Sequence, residues 1–460
     1  MLLTKQQRRR RMKNKFFILF FISSILLAQQ KNESIKVIGD SLIGRVENNQ
    51  SIREVIGNVV MTQGEIRITC DRAIQNISTN SAELLSNVIV TQDTVVILTE
   101  RGYYFGDLKY TYSDTSISLE DGHLALTADT GYYYFDIEKA IFNSDVQLVD
   151  SINILNSDKL TYYNIINKAI AVGNVEITSD ESAIYADSLI HFRDINHSEA
   201  FSNVAVTDSK NDLIITGDYL INDGEQNYTK ITGQPLLRKI DTTSAGKLDT
   251  LYLRSIVMES VEDSTKKLIA TDSVKIIRGE FYSIGSISVL YRDENKILTY
   301  KRENDNVPPV LWYETSQVVG DSLTIYLNKN QLEWIDIRNN AIIISQNPEY
   351  EFRYDQITGD KIELFFTDQG LNRTDVIDNV LSIYFLYEDG KPNGLLKSSS
   401  QRAKMMFEEN TVVDVRLFQS VESEYHPENL VQGKEQQFTL PTFIIYNNKP
   451  ELKDLLKENN

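Results

Sequence analysis

The sequence predicts an all-β protein, an elongated solenoid of tandem two-strand repeats with a period of 29. One observation is a ladder: Asn58, Asn87, Ser116, Asp145, Asn174 and Asn203 recur at that constant spacing, each preceded by a small residue and followed by Val or Ile. Apolar residues also alternate with polar ones along each copy, as a pleated strand with one buried face requires. Composition agrees: Val, Ile, Thr and 24 Tyr supply the copies, while 8 Pro and the absence of a helical period leave no room for a helical body. Repeats of this length bury their apolar faces against one another, so 460 residues need not divide into globular units.

The segment 1–28 reads as a secretory signal peptide. Lys5, Arg8, Arg9, Arg10, Arg11, Lys13 and Lys15 precede an apolar run from Phe16 to Ala28, which Gln29 and Gln30 close. That run is short for a bilayer span, although an uncleaved inner-membrane anchor is the alternative. No Cys follows it, which argues against a lipoprotein anchor.

Residues 29–240 are read as the regular repeats. In one copy, KAIAVGNVEIT from Lys168 and AIYADSLIHF from Ala183 are two strands joined by Ser179-Asp180-Glu181, and a polar turn follows from Arg193 to Ser198. Thr62-Gln63-Gly64-Glu65, Thr91-Gln92-Asp93-Thr94 and Glu120-Asp121-Gly122-His123 are the equivalent turns. The inward series is Val59, Val88, Ile117, Val146, Val175 and Val204, then Met61, Val90, Leu119, Leu148, Ile177 and Val206, then Ile68, Ile97, Leu126, Leu155, Ile184 and Ile215. These residues are the candidate lining of an apolar groove.

Residues 241–425 are read as looser copies with longer loops; Thr232-Gly233, just before them, then Ser273-Val274, Asn306-Val307, Asn340-Ala341 and Asn379-Val380 are the later ladder members. The turn Thr207 to Asp212 is longer than its predecessors, which displaces the later copies. Residues 426–460 are a cap or tail, and Pro450 to Lys457, with Leu452, Leu455 and Leu456 on one side, suits one short helix.

Two further ladders carry polar and aromatic chemistry. Asp71, Glu100, Asp129, Asp158 and Asp187 share the same period, with Asp218, Asp321 and Asp360 in similar contexts. They read as bends where a strand turns a corner and the carboxylate meets backbone donors, with calcium binding and glycosidase chemistry as alternatives. Repetition argues against catalysis, because an active site needs unlike residues in unlike roles. Phe105, Tyr134, Tyr163 and Phe192 form one aromatic register, Tyr103 and Tyr132 another, and Tyr104, Tyr133, Tyr162 and His191 a third. They read as cross-strand packing, or as a carbohydrate or acyl face.

The lone Cys70 excludes an intramolecular disulfide and a cysteine zinc site; it occupies a small-residue strand position. The four His show no ligand spacing, so neither a metal nor a cofactor is expected. Net charge is −18, and removing the seven cations of the signal segment, which has no Asp or Glu, gives about −25. So acidic a surface is a poor partner for nucleic acid. No nucleophile elbow, phosphate loop, dinucleotide fingerprint or HExxH occurs, and the protein is not expected to be an enzyme.

The repeated A-x-G/S-N-V-x-V/I-T, a turn, then I-x-A/G-D-x-L/Y, best seen from Ala171 to Phe192, resembles the OstA-like family of periplasmic lipopolysaccharide transport proteins, which includes LptA. ITGDYL from Ile215 and VVGDSLTIYL from Val318 are weaker instances, and the likeness extends over residues 35–425. That resemblance implies a β-jellyroll folded like a taco. It further implies an apolar interior for the acyl chains of lipopolysaccharide or a related lipid, in the periplasm of a Gram-negative bacterium. The implied partners are other β-jellyroll transport components or the outer-membrane translocon, joined by edge-to-edge strand pairing into a bridge. The chain departs from LptA in its much greater length, and it lacks the sequence expected of the translocon's barrel. A cell-envelope β-solenoid scaffold or adhesin is the rival from another class, and a polysaccharide-active β-helix enzyme a third.

Overall fold

In the computed structural model, residues 34–242, 246–328, 331–408 and 411–457 are described. The segment 1–28, expected to be a signal peptide, lies outside them. Strands run from Lys36–Ile38 to Glu422–His426, and every pairing between them is antiparallel. Each long strand pairs with the next in sequence, so the chain is one meander closed by short turns at alternate edges. Among the described residues no helix is long and apolar enough to cross a membrane.

What converts a flat meander into a jellyroll is the Asn ladder. Ser86 and Asn87 have φ of 62° and 51°, and Ser144–Asp145 and Ser202–Asn203 repeat the pair of left-handed residues. The register shifts across each pair, between Leu85 and Val88 and between Phe201 and Val204. Two extra left-handed residues bend a strand sharply, and Asn, Asp and Gly are the residues that tolerate that conformation. At Gly173, φ is 81° and an added Cβ would lie 2.3 Å from Asp158 Oδ2; the serines at the equivalent positions take a smaller φ of 62–64°. The bend recurs at the same repeat position at Asn58, Asn87, Asp145, Asn174 and Asn203, and the apolar faces of these strands meet in one cluster.

In three consecutive copies the second corner is a 3-10 turn, where the sequence suggests only a simple polar loop. Phe135–Ile137, Asn164–Ile166 and Arg193–Ile195 each end on a left-handed residue, respectively Glu138, Asn167 and Asn196. In the later copies the left-handed pair recurs at Asp272–Ser273, Asn339–Asn340 and Asp378–Asn379. Two expected members are corrected. The bend near Thr232 is made by Gly233 and Gln234, beyond the regular register, as the longer Thr207–Asp212 turn requires. Asn306-Val307 makes no corner; it lies in the loop between Lys296–Tyr300 and Val310–Tyr313, where Pro308 and Pro309 cannot donate to a ladder.

The interior of the first half is tightly filled. Leu84, Leu126, Phe142, Leu160 and Leu189 have no solvent exposure, and with Val55 through Ile297 they form one continuous cluster. Beyond residue 310 the sheet is buried on both faces. Leu311, Val318 and Ile357 face the interior cluster, whereas Val310, Trp312, Val319, Ile342 and Ile344 face outward against Phe443 and Tyr446 of the tail. Burial on two faces explains the unbroken apolar runs Val310-Leu311-Trp312 and Ala341-Ile342-Ile343-Ile344.

The tail is held as an extended strap. Buried Gln317 donates to the Ile444 carbonyl at 2.7 Å and accepts from the Tyr446 N–H at 2.8 Å; Gln356 does the same for Phe438 and Leu440 at 3.1 and 2.8 Å. Arg353, nearly without exposure, anchors the start of the strap through Glu428 at 2.6 Å. The expected helix over Pro450 to Lys457 is reduced to one turn, Leu452–Leu455, whose Leu455 is buried. Arg254 binds the carbonyls of Leu455 and Lys457 and so fixes the last turn.

Candidate functional site

The inward series divides sharply when mapped onto the fold. Val59, Met61, Ile68, Val88, Val90, Ile97, Ile117, Leu119, Leu126, Val146, Leu148, Leu155, Val175 and Val204 are all buried in the first cluster and pack together across the folded sheet. Ile177, Ile184 and Val206 are only partly covered, and Ile215 keeps 7% exposure. That gradient marks the place where the interior opens.

Two adjoining chambers occupy the opened part. The first, about 650 Å³, is lined by Ile184, Val206, Ile215, Leu220, Ile231 and Leu290 among others; the second, about 1140 Å³, continues past Ile276, Ile297, Leu311 and Ile325. Leu251, Arg278 and Leu327 line both. The copies here are irregular: short strands such as Tyr228–Thr232, Val257–Val261 and Lys296–Tyr300 each share a long neighbour with a second short strand.

Polar residues such as Asn222, Glu262 and Glu333 share the lining with the apolar ones, and one ion cluster stands beside both chambers. Asp241 and Asp249 oppose each other across two strands, and Arg278 bridges them at 3.1 and 2.6 Å. Lys239 also binds Asp241. Charges so enclosed must be paired to be tolerated, and here two carboxylates meet two cations where the chambers adjoin.

The carboxylate ladder has a different partner from the one expected. Asp71, Asp158 and Asp187 accept hydrogen bonds from the side-chain amides of Asn87, Asn174 and Asn203 at 2.8 to 2.9 Å, and Asp321 and Asp360 do so from Asn340 and Asn379. The carboxylates therefore lock the corner of the next strand through its Asn side chain, in place of the backbone donors expected. Opposite Glu100 and Asp129 stand Ser116 and Asp145, so those two rungs lack the amide. The ladder is exposed, on the outside of the jellyroll, away from the chambers. Among the described residues no group of three or more His, Cys, Asp or Glu is placed to hold a metal ion.

The aromatic ladders separate by face. Tyr104, Tyr133 and Tyr162 are buried at 1% exposure; the Tyr104 hydroxyl donates to Gln63 at 2.5 Å, and that of Tyr162 to Asn167 at 3.1 Å. Tyr103, Tyr112 and Tyr132 stack on the other face at 5.9 and 4.4 Å, and Phe105, Tyr110 and Tyr134 at 4.5 and 5.4 Å. Because the rings stack mainly on each other, this is cross-strand packing. His191 continues the buried ladder, bonded through Nδ1 to Ser198 at 2.9 Å, and burial lowers its basicity. Cys70 is buried and its thiol is pushed up to about 11 by that burial, which leaves it unreactive.

At each end of the sheet one strand edge is unpaired among the described residues. Ser41–Glu47 pairs only with Gln50–Gln63 and exposes Leu42, Ile43 and Val46. Thr411–Phe418 pairs only with Lys391–Glu408 and exposes Val413, Val415 and Phe418. Such edges are templates for strand addition.

Comparison with known proteins gives a family and a structural likeness. The family model described as OstA-like protein matches twice, over residues 37–171 and 152–301, which together span more than half of the chain. No curated protein matches. Among solved structures, the chain is similar to LptH from Pseudomonas aeruginosa, described as the LptA-homologous periplasmic component of the lipopolysaccharide transport device. Identity is 13%, coverage 32% of this chain and 96% of that one, and the TM-score 0.17.

Proposed function

The chain belongs to the OstA-like protein family, and from that premise we propose that it is a non-enzymatic lipopolysaccharide transport and assembly protein of the periplasm. It shields acyl chains inside the jellyroll and forms part of a bridge to the outer membrane. The observation that carries this reading is the pair of chambers between residues 182 and 370, whose apolar wall continues the inward ladder at Ile184, Val206 and Ile215. A volume near 1140 Å³ exceeds what a small metabolite needs, and an apolar wall favours hydrocarbon by about 25 cal/mol per Å² removed from water.

Function is divided along the molecule. The regular half, residues 55–175, is packed and serves as a rigid spacer; the irregular half holds lipid. Val59, Val88, Ile117 and Val146 thus build the wall that keeps the jellyroll straight, while lipid contact falls to Ile184, Val206, Ile215 and the residues beyond them. The open edges at Ser41–Glu47 and Thr411–Phe418 join neighbouring jellyroll components or the outer-membrane translocon by strand addition.

Photocrosslinking in cells from an unnatural residue at Ile215 or Leu220 tests the reading, with Val146 as the packed control. Lipopolysaccharide captured at Ile215 and absent at Val146 is the expected result. Capture of protein alone at all three positions would replace transport by scaffolding.

A further inference from the structure

Beyond the two acyl-holding chambers the interior ends in a third, of about 320 Å³, walled by Val318, Ile343, Ile357, Leu396, Met405 and Val415. An aromatic partition separates it from the larger space. Phe281 stacks on Tyr313 at 4.6 Å, and Phe366 meets both edge-on at 5.6 and 5.5 Å; Tyr313 and Phe366 each face the second chamber on one side and the third on the other. A volume at the low end of the roughly 300–1,000 Å³ usual for ligand sites admits one chain, not the several chains of a lipopolysaccharide.

The wall of this chamber is interrupted by polar groups whose bonding is incomplete. Asp355 points inward from the strand Tyr354–Thr367, and its Oδ1 accepts the Phe385 N–H at 2.9 Å. Its second oxygen accepts no hydrogen bond from the described residues; the residue is half-buried, no basic side chain faces it, and lost hydration pushes the carboxyl up to about 7. Thr374 lines the same chamber at 1% exposure, and its hydroxyl has no hydrogen-bond partner among the described residues. Native interiors rarely leave a group such as the Thr374 hydroxyl unsatisfied; where they do, a bound molecule is one source of the missing partner.

We propose that the third chamber is a separate site for a single-chain amphiphile whose head donates a hydrogen bond, a long-chain alcohol or primary amine. Asp355 Oδ2 accepts from the head, the Thr374 hydroxyl gives it a second polar partner, and the chain lies along Val318, Ile343 and Leu396. Above pH 8, where the Asp355 carboxyl is ionised, a head that only accepts, such as a carboxylate, is rejected because it meets Asp355 oxygen to oxygen. This inference rests on the reading of the interior as a hydrocarbon-holding space and adds a head-group preference to it.

Titration calorimetry of the purified chain at about pH 8.5, where Asp355 is ionised, with decan-1-ol, decylamine and decanoate, each below its micellar range, tests the site. One equivalent is expected, with the alcohol and the amine bound at least about tenfold more tightly than decanoate. Asp355→Asn keeps an oxygen for the Phe385 N–H and should weaken decylamine about tenfold; Thr374→Val should weaken both donors a few-fold. Leu396→Phe obstructs this chamber and Ile215→Trp the first, and only the former should abolish binding, with a melting curve on each variant to confirm folding. Equal affinities for the three heads, an unchanged Asp355→Asn, or loss of binding in Ile215→Trp alone would overturn the assignment. Lipopolysaccharide capture from Ile215 is scored independently, so failure of the transport reading and failure of this site are told apart.

Discussion

Asn203 is the place where the corner mechanism can be measured. Its φ of 50° lies in the left-handed region, and its Nδ2 donates to Asp187 at 2.9 Å on the exterior. Replacing it by Ala imposes about 1–2 kcal/mol for a side chain held in that conformation. It also removes a hydrogen bond to a carboxylate whose nominal value of about 1.5–3 kcal/mol is reduced by exposure to roughly 0.5–1. Asn203→Ala should therefore cost about 1.5–3 kcal/mol. Asn203→Gly restores the backbone freedom and should cost only the hydrogen bond and some chain entropy, about 1 kcal/mol. Asp187→Ala should cost about 0.5–1 kcal/mol, and combined with Asn203→Gly it should add almost nothing, because the bond is already gone. Urea unfolding supplies the energies, and hydrogen exchange in His197–Asp208 shows whether the loss is local. The same cycle at Asp158 and Asn174, bonded at 2.9 Å, should give matching values. If Asn203→Ala is no worse than Asn203→Gly, or the double variant is strictly additive, the left-handed corner is not what bends the strand.

Other expectations concern the interior and the strap. Leu160→Ala, at a position with no exposure, should cost about 2–5 kcal/mol as a cavity and leave lipid capture at Ile215 unchanged; reduced capture would mean that the first half is not a spacer. Gln356→Ala strips partners from the Phe438 carbonyl and the Leu440 N–H and should cost about 2–4 kcal/mol, with increased binding of an apolar dye as Leu440 lifts away; an unchanged dye signal would show that the strap is held by other contacts. Asp355 supplies a pH dependence with a definite sign. The unfolded chain loses this proton near pH 3.9 and the folded chain near 7, so the folded state binds the extra proton between those values and stability falls as pH rises through them, by on the order of 4 kcal/mol. Asp355→Asn should remove that slope, and identical pH profiles of the two proteins would show that the carboxyl is not enclosed as described.

Much of the architecture is legible in the sequence because it repeats. Asn87, Asn174 and Asn203 recur at a spacing of 29 or its multiples, and so do their partners Asp71, Asp158 and Asp187; alternation at Val175 and Ile177 marks the buried face of each strand. What misleads is the partner of the carboxylates. Asp158 and Asn174 are separated in sequence and become neighbours only after the turn between them aligns two strands, which no single copy displays. Asn306-Val307 resembles a ladder member by composition, yet Pro308 and Pro309 break its pairing. The candidate groove is legible as a face but not as a space, since Val146 and Ile215 carry the same apolar signature and only one of them borders a chamber.

Strand order, bending points and the sign of each face come from the chain alone, because a repeating sheet is built from interactions between adjacent copies, and adjacency is written in the period. Tertiary structure alone decided where the interior is shut and where it is open, that Asp355 and Thr374 line a common chamber, and that the strap from Phe438 to Leu455 covers an outer face. Volume between two folded halves depends on how short strands, long loops and the strap meet across stretches as long as that from Arg254 to Leu455. Such meetings leave no periodic trace in the sequence.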